Sequence, residues 1–95
     1  MLYIAFAKNR PHTGAGSDMQ AKSRKWWNEG ARPAGMKTVA FFGAVGSATH
    51  SVIVFEAANH EDIRTMINYW SELDFDVHPA VDLAAVFRKQ GMHVG

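Results

Sequence analysis

The stretch from Ala57 to Val81 constrains the fold of this chain more than any other. Its pattern predicts that a strand ends near Ala57, a helix follows, and a second strand begins at Phe75 with almost no linker. Asn59 is a good N-cap for that helix, and the two acidic residues after it suit the positive end of the helix dipole. Apolar residues then recur at helical spacing, at Ile63, Met66, Ile67 and Trp70. One face of the helix is therefore expected to be buried against a sheet.

The first half of the chain repeats this alternation, and glycine, proline and small polar residues mark the breaks between elements. We predict strands over 2–7, 36–44, 50–57 and 75–81, helices over 17–29, 59–70 and 82–90, and a hairpin turn over 46–49. The last helix is expected to point Leu83, Val86 and Phe87 inward and to end at Gly91. This order is that of an α+β, ferredoxin-like split βαβ fold, in which two helices pack on one face of a four-stranded antiparallel sheet.

The predicted strands are apolar on both faces. On the first strand Leu2, Ile4 and Phe6 alternate with Tyr3, Ala5 and Ala7, and Val52 and Val54 alternate with Ile53 and Phe55 on the third. Two helices can cover only one face, and soluble monomers seldom leave a large apolar patch in water. We therefore predict a homodimer whose sheets pack face to face.

Composition narrows the class of protein. We expect 95 residues to form a single domain over 1–95, and the lack of cysteine excludes disulfides and thiolate sites. Residues 1–48 carry a net charge of +5 and residues 49–95 a net charge of −4, so we expect the halves to attract each other, within one chain or across a dimer. The strands lack the basic and aromatic pattern of a nucleic-acid binder. No apolar run predicts a membrane span or a signal peptide, and the expected location is cytoplasmic.

Several short motifs identify a family. They are Met-Leu-Tyr-Ile at 1–4, Arg24 with Trp27, Pro33 with Gly35, Val-Phe-Glu-Ala at 54–57, Tyr69-Trp70, and the stretch 74–81. With these motifs the chain resembles the bacterial domain-of-unknown-function family numbered 3303, a relative of the dimeric α/β-barrel proteins. It departs from that pattern in the long loop over 8–17 and in the short basic tail. The resemblance implies the dimeric barrel fold. Relatives with this barrel include cofactor-free monooxygenases, polyketide cyclases and haem-degrading enzymes, so the resemblance leaves the activity open.

Two groups of residues carry the chemistry that the sequence suggests. His78 on the last strand and Tyr3 on the first are candidate catalytic residues, a general base and a hydrogen-bond donor to a carbonyl, if they share a face. Trp26 and Trp27, with Arg24 on the same helix, are candidates for holding a planar anionic ligand. The alternative for each is packing: a satisfied strand histidine, an interface tyrosine, core tryptophans and a solvated arginine. Histidine spacing predicts no metal site, and no cofactor is expected.

Two functions therefore remain open. One is a homodimer that binds or converts a small organic molecule, without cofactor, in a groove between the first helix and the sheet. A cavity of about 300 Å³ or more, lined by His78, Tyr3 or a tryptophan, would favour this function. The other is a non-catalytic dimerisation or interaction module, which a solidly packed core would favour. The glycine-rich stretch over 14–17 is interpreted as a flexible loop that could cover the groove.

Overall fold

The chain is an α+β protein built on one antiparallel sheet with an open edge on each side. The computed structural model describes residues 1–10 and 17–95, and only the backbone of residues 17, 18 and 47–49. Its elements are β1 (Leu2–Asn9), α1 (Ser17–Asn28), β2 (Lys37–Ala44), β3 (Ser47–Glu56), α2 (His60–Tyr69), β4 (Leu73–Pro79) and α3 (Leu83–Lys89). The four strands lie in the order β2-β3-β1-β4, and all neighbours are antiparallel. The α+β class and the predicted element order are confirmed.

The register of β1 separates the two faces of the sheet. Tyr3, Ala5 and Ala7 are buried and point toward the layer formed by α1 and α2. Ile4 pairs with Val54 on β3 and with His78 on β4, so their side chains lie on the opposite face. We call this second face, which α1 and α2 do not cover, the outer face. Its other apolar members are Leu2, Phe6, Ala40, Phe42 and Val52.

Aromatic side chains dominate the core between helices and sheet. The buried cluster is Tyr3, Ala5, Trp26, Met36, Phe55, Ala57, Met66 and Trp70. The Asn59 side chain accepts a hydrogen bond from the Asp62 amide at 3.0 Å, which confirms the predicted N-cap of α2. Ile67 is 38% exposed, so its expected place in the buried stripe is wrong. It flanks the stripe because the helix turns about 100° between Met66 and Ile67.

Two other predictions are corrected. The β2–β3 hairpin turns at Val45 and Gly46, where glycine takes φ +82°, and β3 already begins at Ser47 rather than His50. The last helix does not point inward: it buries no side chain, and Leu83 and Phe87 are 58% and 40% exposed. This helix follows the edge strand β4, where the helix layer does not offer its side chains a buried position.

Candidate functional site

The two candidate catalytic residues lie on opposite faces of the sheet. Tyr3 is 6% exposed beneath the helices, stacks on Phe55 at 5.7 Å, and donates its hydroxyl to the Met1 sulfur at 3.4 Å. His78 lies on the outer face, where its Nε2 is 2.7 Å from Asp76 Oδ1. Because β4 is registered with His78 opposite Ile4 and Pro79 opposite Tyr3, the expected sharing of a face is wrong. Tyr3 and His78 therefore cannot act together on one small substrate.

A groove does lie between α1 and the sheet, at the end of the sheet where β4 begins. Its volume is about 210 Å³. Its floor includes Ala7 and Ser51, which are cross-strand partners, and Gly43 continues their row onto β2. A Cβ built on Gly43 would meet only the His50 carbonyl oxygen, at 4.0 Å. Ala7 and Ser51 leave space at the floor because their side chains are short, and the larger side chains of Phe41, Ile53 and Phe75 stand around them.

Tryptophans form the walls of this space, which we call the tryptophan groove. Trp26 and Trp27 line it from α1, and Trp70 lines it from the end of α2. The Trp26 ring is 5.1 Å from Tyr69 and 5.9 Å from Trp70, so these three rings hold one another in place. Trp27 stacks obliquely on Phe41 at 5.6 Å. Both tryptophans that the sequence singled out therefore border one cavity.

Arg24, the arginine expected to help hold a ligand, lies outside the tryptophan groove. Arg24 is exposed on α1 and does not line the tryptophan groove. Arg32 instead places its guanidinium carbon 5.5 Å from the centre of the Trp27 ring and donates to the Met36 carbonyl at 3.4 Å. The described side chains that line the groove carry no charge. A planar anion is therefore a poor fit to this space, and an uncharged ring is a better one.

The polar groups of the groove are few and neutral. They are the amide of Asn9 and the hydroxyls of Ser23 and Ser51. Ser23 donates to the Met19 carbonyl at 2.8 Å, which leaves the oxygen lone pairs of Ser23 to accept a further hydrogen bond. An apolar cavity with two or three neutral hydrogen-bonding groups suits an aromatic molecule with one polar substituent.

A lysine joins the two helices beside the groove. Lys22 Nζ lies 2.7 Å from Glu72 Oε1 and 4.9 Å from the centre of the Tyr69 ring, and the Tyr69 hydroxyl donates to the Lys22 carbonyl at 2.7 Å. The hydrogen bond from Lys22 lowers the pKa of Glu72 below 4.5, against the opposing effect of desolvation. The Lys22–Glu72 pair, like Arg10 with Asp74 at 2.8 Å, joins the basic first half of the chain to the acidic second half. These contacts support the expected attraction between the halves.

A second and larger concavity lies on the outer face, at the same end of the sheet. Its volume is about 530 Å³. Phe6, Phe42 and Val52 form its apolar floor, and Asp74 and Asp76 of β4 border it on one side. We call it the outer-face groove. Lys8 lies beside Asp74 in the same lining, so the groove is a wide, shallow and mainly apolar surface whose rim carries charges of both signs.

Sequence reasoning missed the residues that create space. Ala7 and Ser51 attract no attention as chemistry, and their small size is not a distinguishing signal, because Ala5 is equally small on the same face of β1. No group of His, Asp or Glu side chains able to hold a metal occurs among the described residues. Within the same part of the chain, every helix is too short or too polar to cross a bilayer. The glycine-rich stretch proposed to cover the groove falls largely in 11–16, outside the described residues.

A comparison with protein families decides the relationship. The model of the family described as "Domain of unknown function (DUF3303)" matches residues 1–91. The chain belongs to this family. DUF3303 membership confirms the relationship expected from the motifs of Tyr3, Trp27 and the stretch 74–81. A search of curated proteins gave no match to this DUF3303 chain.

Proposed function

We propose that this protein is a homodimer that binds a small, uncharged aromatic molecule in the tryptophan groove of each copy. The observation that carries the proposal is the partly open space of about 210 Å³ above Ala7 and Ser51, bordered by three tryptophans. It is smaller than the 300 Å³ expected of a site for a drug-sized ligand, but a cavity of about 150 Å³ lined by apolar side chains can take up benzene. One substituted six-membered ring is therefore the size of ligand that we propose.

Catalysis is not part of the proposal. The sequence offered His78 and Tyr3 as an acid–base pair, and their positions on opposite faces remove the geometric basis for that pair. Ser23, Ser51 and Asn9 have hydrogen-bonding range without the acid–base range that proton transfer at neutral pH requires. Binding is the activity that these groups support.

Fluorine NMR with 4-fluorophenol tests the groove, because the signal of a weakly bound fluorinated ring broadens and shifts on binding. We expect broadening with the natural chain at ligand concentrations of about 1 mM, because a ligand with so few atoms binds weakly. Ser51→Leu should abolish it by filling the groove from the floor. Ser71→Leu, the same change at an exposed position outside the groove, should leave it intact. Equal broadening in the Ser51→Leu and Ser71→Leu variants would refute the site.

The second candidate function is a dimerisation module without a ligand, and the outer face favours it. Phe6 and Phe42 are 49% and 65% exposed there, beside Ile4, Val52 and Val54. The strand order β2-β3-β1-β4 supports a ferredoxin-like arrangement, and pairing of two such sheets through the outer face would make the dimeric α/β barrel implied by the family resemblance. Homodimerisation is common to both candidate functions, and ligand binding separates them.

Light scattering during gel filtration tests the dimer. At micromolar concentration we expect twice the chain mass of 10.5 kDa. Phe42→Glu should give the monomer mass, because it would bury a carboxylate in an apolar interface. Ile67→Glu is the matched control, since Ile67 is a partly exposed apolar residue in the helix layer. A monomer mass for the natural chain would refute the homodimer.

A further inference from the structure

The C-terminal segment has the properties of a docking arm. We define the arm as residues 82–95, which comprise α3 and the tail after it. The Asp82 side chain caps α3 by accepting from the Ala85 amide at 3.0 Å, and Gly91 ends it at φ +85°. Beyond the helix, Arg88 Nη2 donates to the Val94 carbonyl at 2.8 Å, so the tail folds back onto α3. The arm is therefore locally well formed.

Nevertheless the arm buries none of its side chains against its own chain. Leu83, Val86 and Phe87 recur at i, i+3 and i+4 and form one apolar stripe, and they are 58%, 36% and 40% exposed. Met92 adds to the exposed apolar surface at 52%. A helix of seven residues gains too little from its own hydrogen bonds to persist in water, so its stability has to come from packing. The stripe therefore needs a partner surface.

The outer-face groove matches the arm in its apolar character. The floor of the groove is apolar, and Asp74 and Asp76 stand at its β4 rim with Lys8 beside them. Arg10 already pairs with Asp74 at 2.8 Å, whereas Asp76 faces a histidine, His78, at 2.7 Å. The apolar stripe of the arm is followed in the last helical turn by Arg88 and Lys89. Burying the stripe on the floor would bring these cations toward Asp76, the rim carboxylate that has no arginine or lysine partner within its own chain among the described residues.

The arm and this groove lie at opposite ends of the same sheet. The arm leaves β4 after Pro79, which pairs with Tyr3, whereas the groove reaches Lys8 and Asp74. These two rows are five residues apart along the strand, about 17 Å. In the proposed dimer two copies face each other through their outer faces and are related by a two-fold axis. If this axis runs across the strands, the Pro79 end of each sheet lies over the Asp74 end of the partner sheet. Two arms and two grooves would then be satisfied together.

We infer that in the homodimer the C-terminal arm of each copy packs its apolar stripe into the outer-face groove of the other copy. This inference rests on the proposed homodimer and adds the element that links the two copies beyond their sheets. It also explains why the outer face and the arm are both apolar in a chain of this size. The chain has no cysteine, so introduced cysteines report contacts without background.

Disulfide cross-linking between two differently tagged variants tests the exchange. One variant carries Gln90→Cys on the arm, and the other carries Lys8→Cys at the groove, next to the β4 rim; both positions are exposed. After subunit exchange and mild oxidation we expect a cross-linked heterodimer of the two variants. A partner with Asn68→Cys in place of Lys8→Cys should give little of that product, because Asn68 is exposed on α2, on the other side of the sheet. A double variant with Gln90→Cys and Lys8→Cys in one chain reports whether the arm instead reaches its own groove.

The outcomes separate the arm from the dimer. A dimer mass without the Gln90–Lys8 cross-link, or a cross-link formed within one chain, overturns the arm exchange and leaves the homodimer standing. A monomer mass for the natural chain overturns both. The charges give an independent check: Lys89→Glu should raise the dimer dissociation constant about threefold to tenfold, and Asp76→Lys in the same chain should restore much of it. If the variant with both changes has a higher dimer dissociation constant than either single variant, the proposed contact is contradicted.

Discussion

Replacing Trp70 by alanine should remove a large part of the stability of the chain. Trp70 is 9% exposed at the end of α2, with ring contacts to Trp26 at 5.9 Å and to Tyr69 at 5.1 Å. A tryptophan buries about 200 Å² of surface. At about 25 cal/mol per Å² that area contributes about 4–5 kcal/mol, and residual compactness of the unfolded chain lowers this by roughly 10–40%. The edge-on ring contacts restore about 0.5–1.5 kcal/mol. We expect a loss of about 3–5 kcal/mol, the range typical of Trp→Ala in a core.

Urea unfolding followed by far-ultraviolet circular dichroism measures this loss, because the backbone signal does not depend on the tryptophan that is removed. The comparison must use one protein concentration, since dimerisation makes apparent stability concentration-dependent. Trp27→Ala is the matched comparison: the same truncation at a partly buried position should cost less than Trp70→Ala, because less apolar area is lost from the core. A loss below about 1 kcal/mol for Trp70→Ala would mean that the side chain is exposed and the packing of α2 described above is wrong.

Three further predictions concern local interactions. Glu72 has a pKa lowered in the folded chain by its hydrogen bond to Lys22, so its stabilising contribution is present above pH 4.5 and disappears as the pH falls through the lowered pKa. In Glu72→Gln, the difference in urea midpoint between pH 7 and pH 3 should therefore shrink; an unchanged difference would contradict the pairing. Gly46→Ala should lower the free energy of unfolding by about 1 kcal/mol, because φ +82° strains a residue with a Cβ, and a neutral result in the same assay would refute this. Asn59→Ala should cost about 1 kcal/mol by removing the cap on the Asp62 amide, whereas Asn59→Asp should keep most of the stability.

Local patterns predicted the elements well because each depends on residues close in sequence. The Asn59 cap and the spacing of Ile63, Met66 and Trp70 define α2 without reference to the rest of the chain. The alternation along β1 likewise predicted two apolar faces, of which α1 and α2 cover one. Ile67 shows the limit of such patterns, since a helical stripe does not tell where its edge meets solvent.

The candidate site depended on distant pairings, and these were less predictable. Tyr3 pairs with Pro79 in the β1–β4 ladder, and a shift of the register by one residue would pair it with His78 instead. Such a shift would also move His78 to the other face of the sheet. Lys22 and Glu72 are 50 residues apart, and no local signal joins them. Tryptophans at 26 and 27 were recognisable as walls because large aromatic residues stand out. The space beside these tryptophans was not recognisable from the sequence, because it arises where side chains are small.

The small floor of the tryptophan groove has a consequence for other members of the family. Ala7 and Ser51 are neighbours on two central strands, and larger β-formers at either position would keep the alternation on which the sheet depends. The capacity of the groove can therefore change by single substitutions while the fold is retained. A relative with leucine or phenylalanine at the position of Ser51 would have a filled groove on the same scaffold. If the proposed site is correct, side-chain volume at these two positions predicts from sequence which relatives can admit a ring.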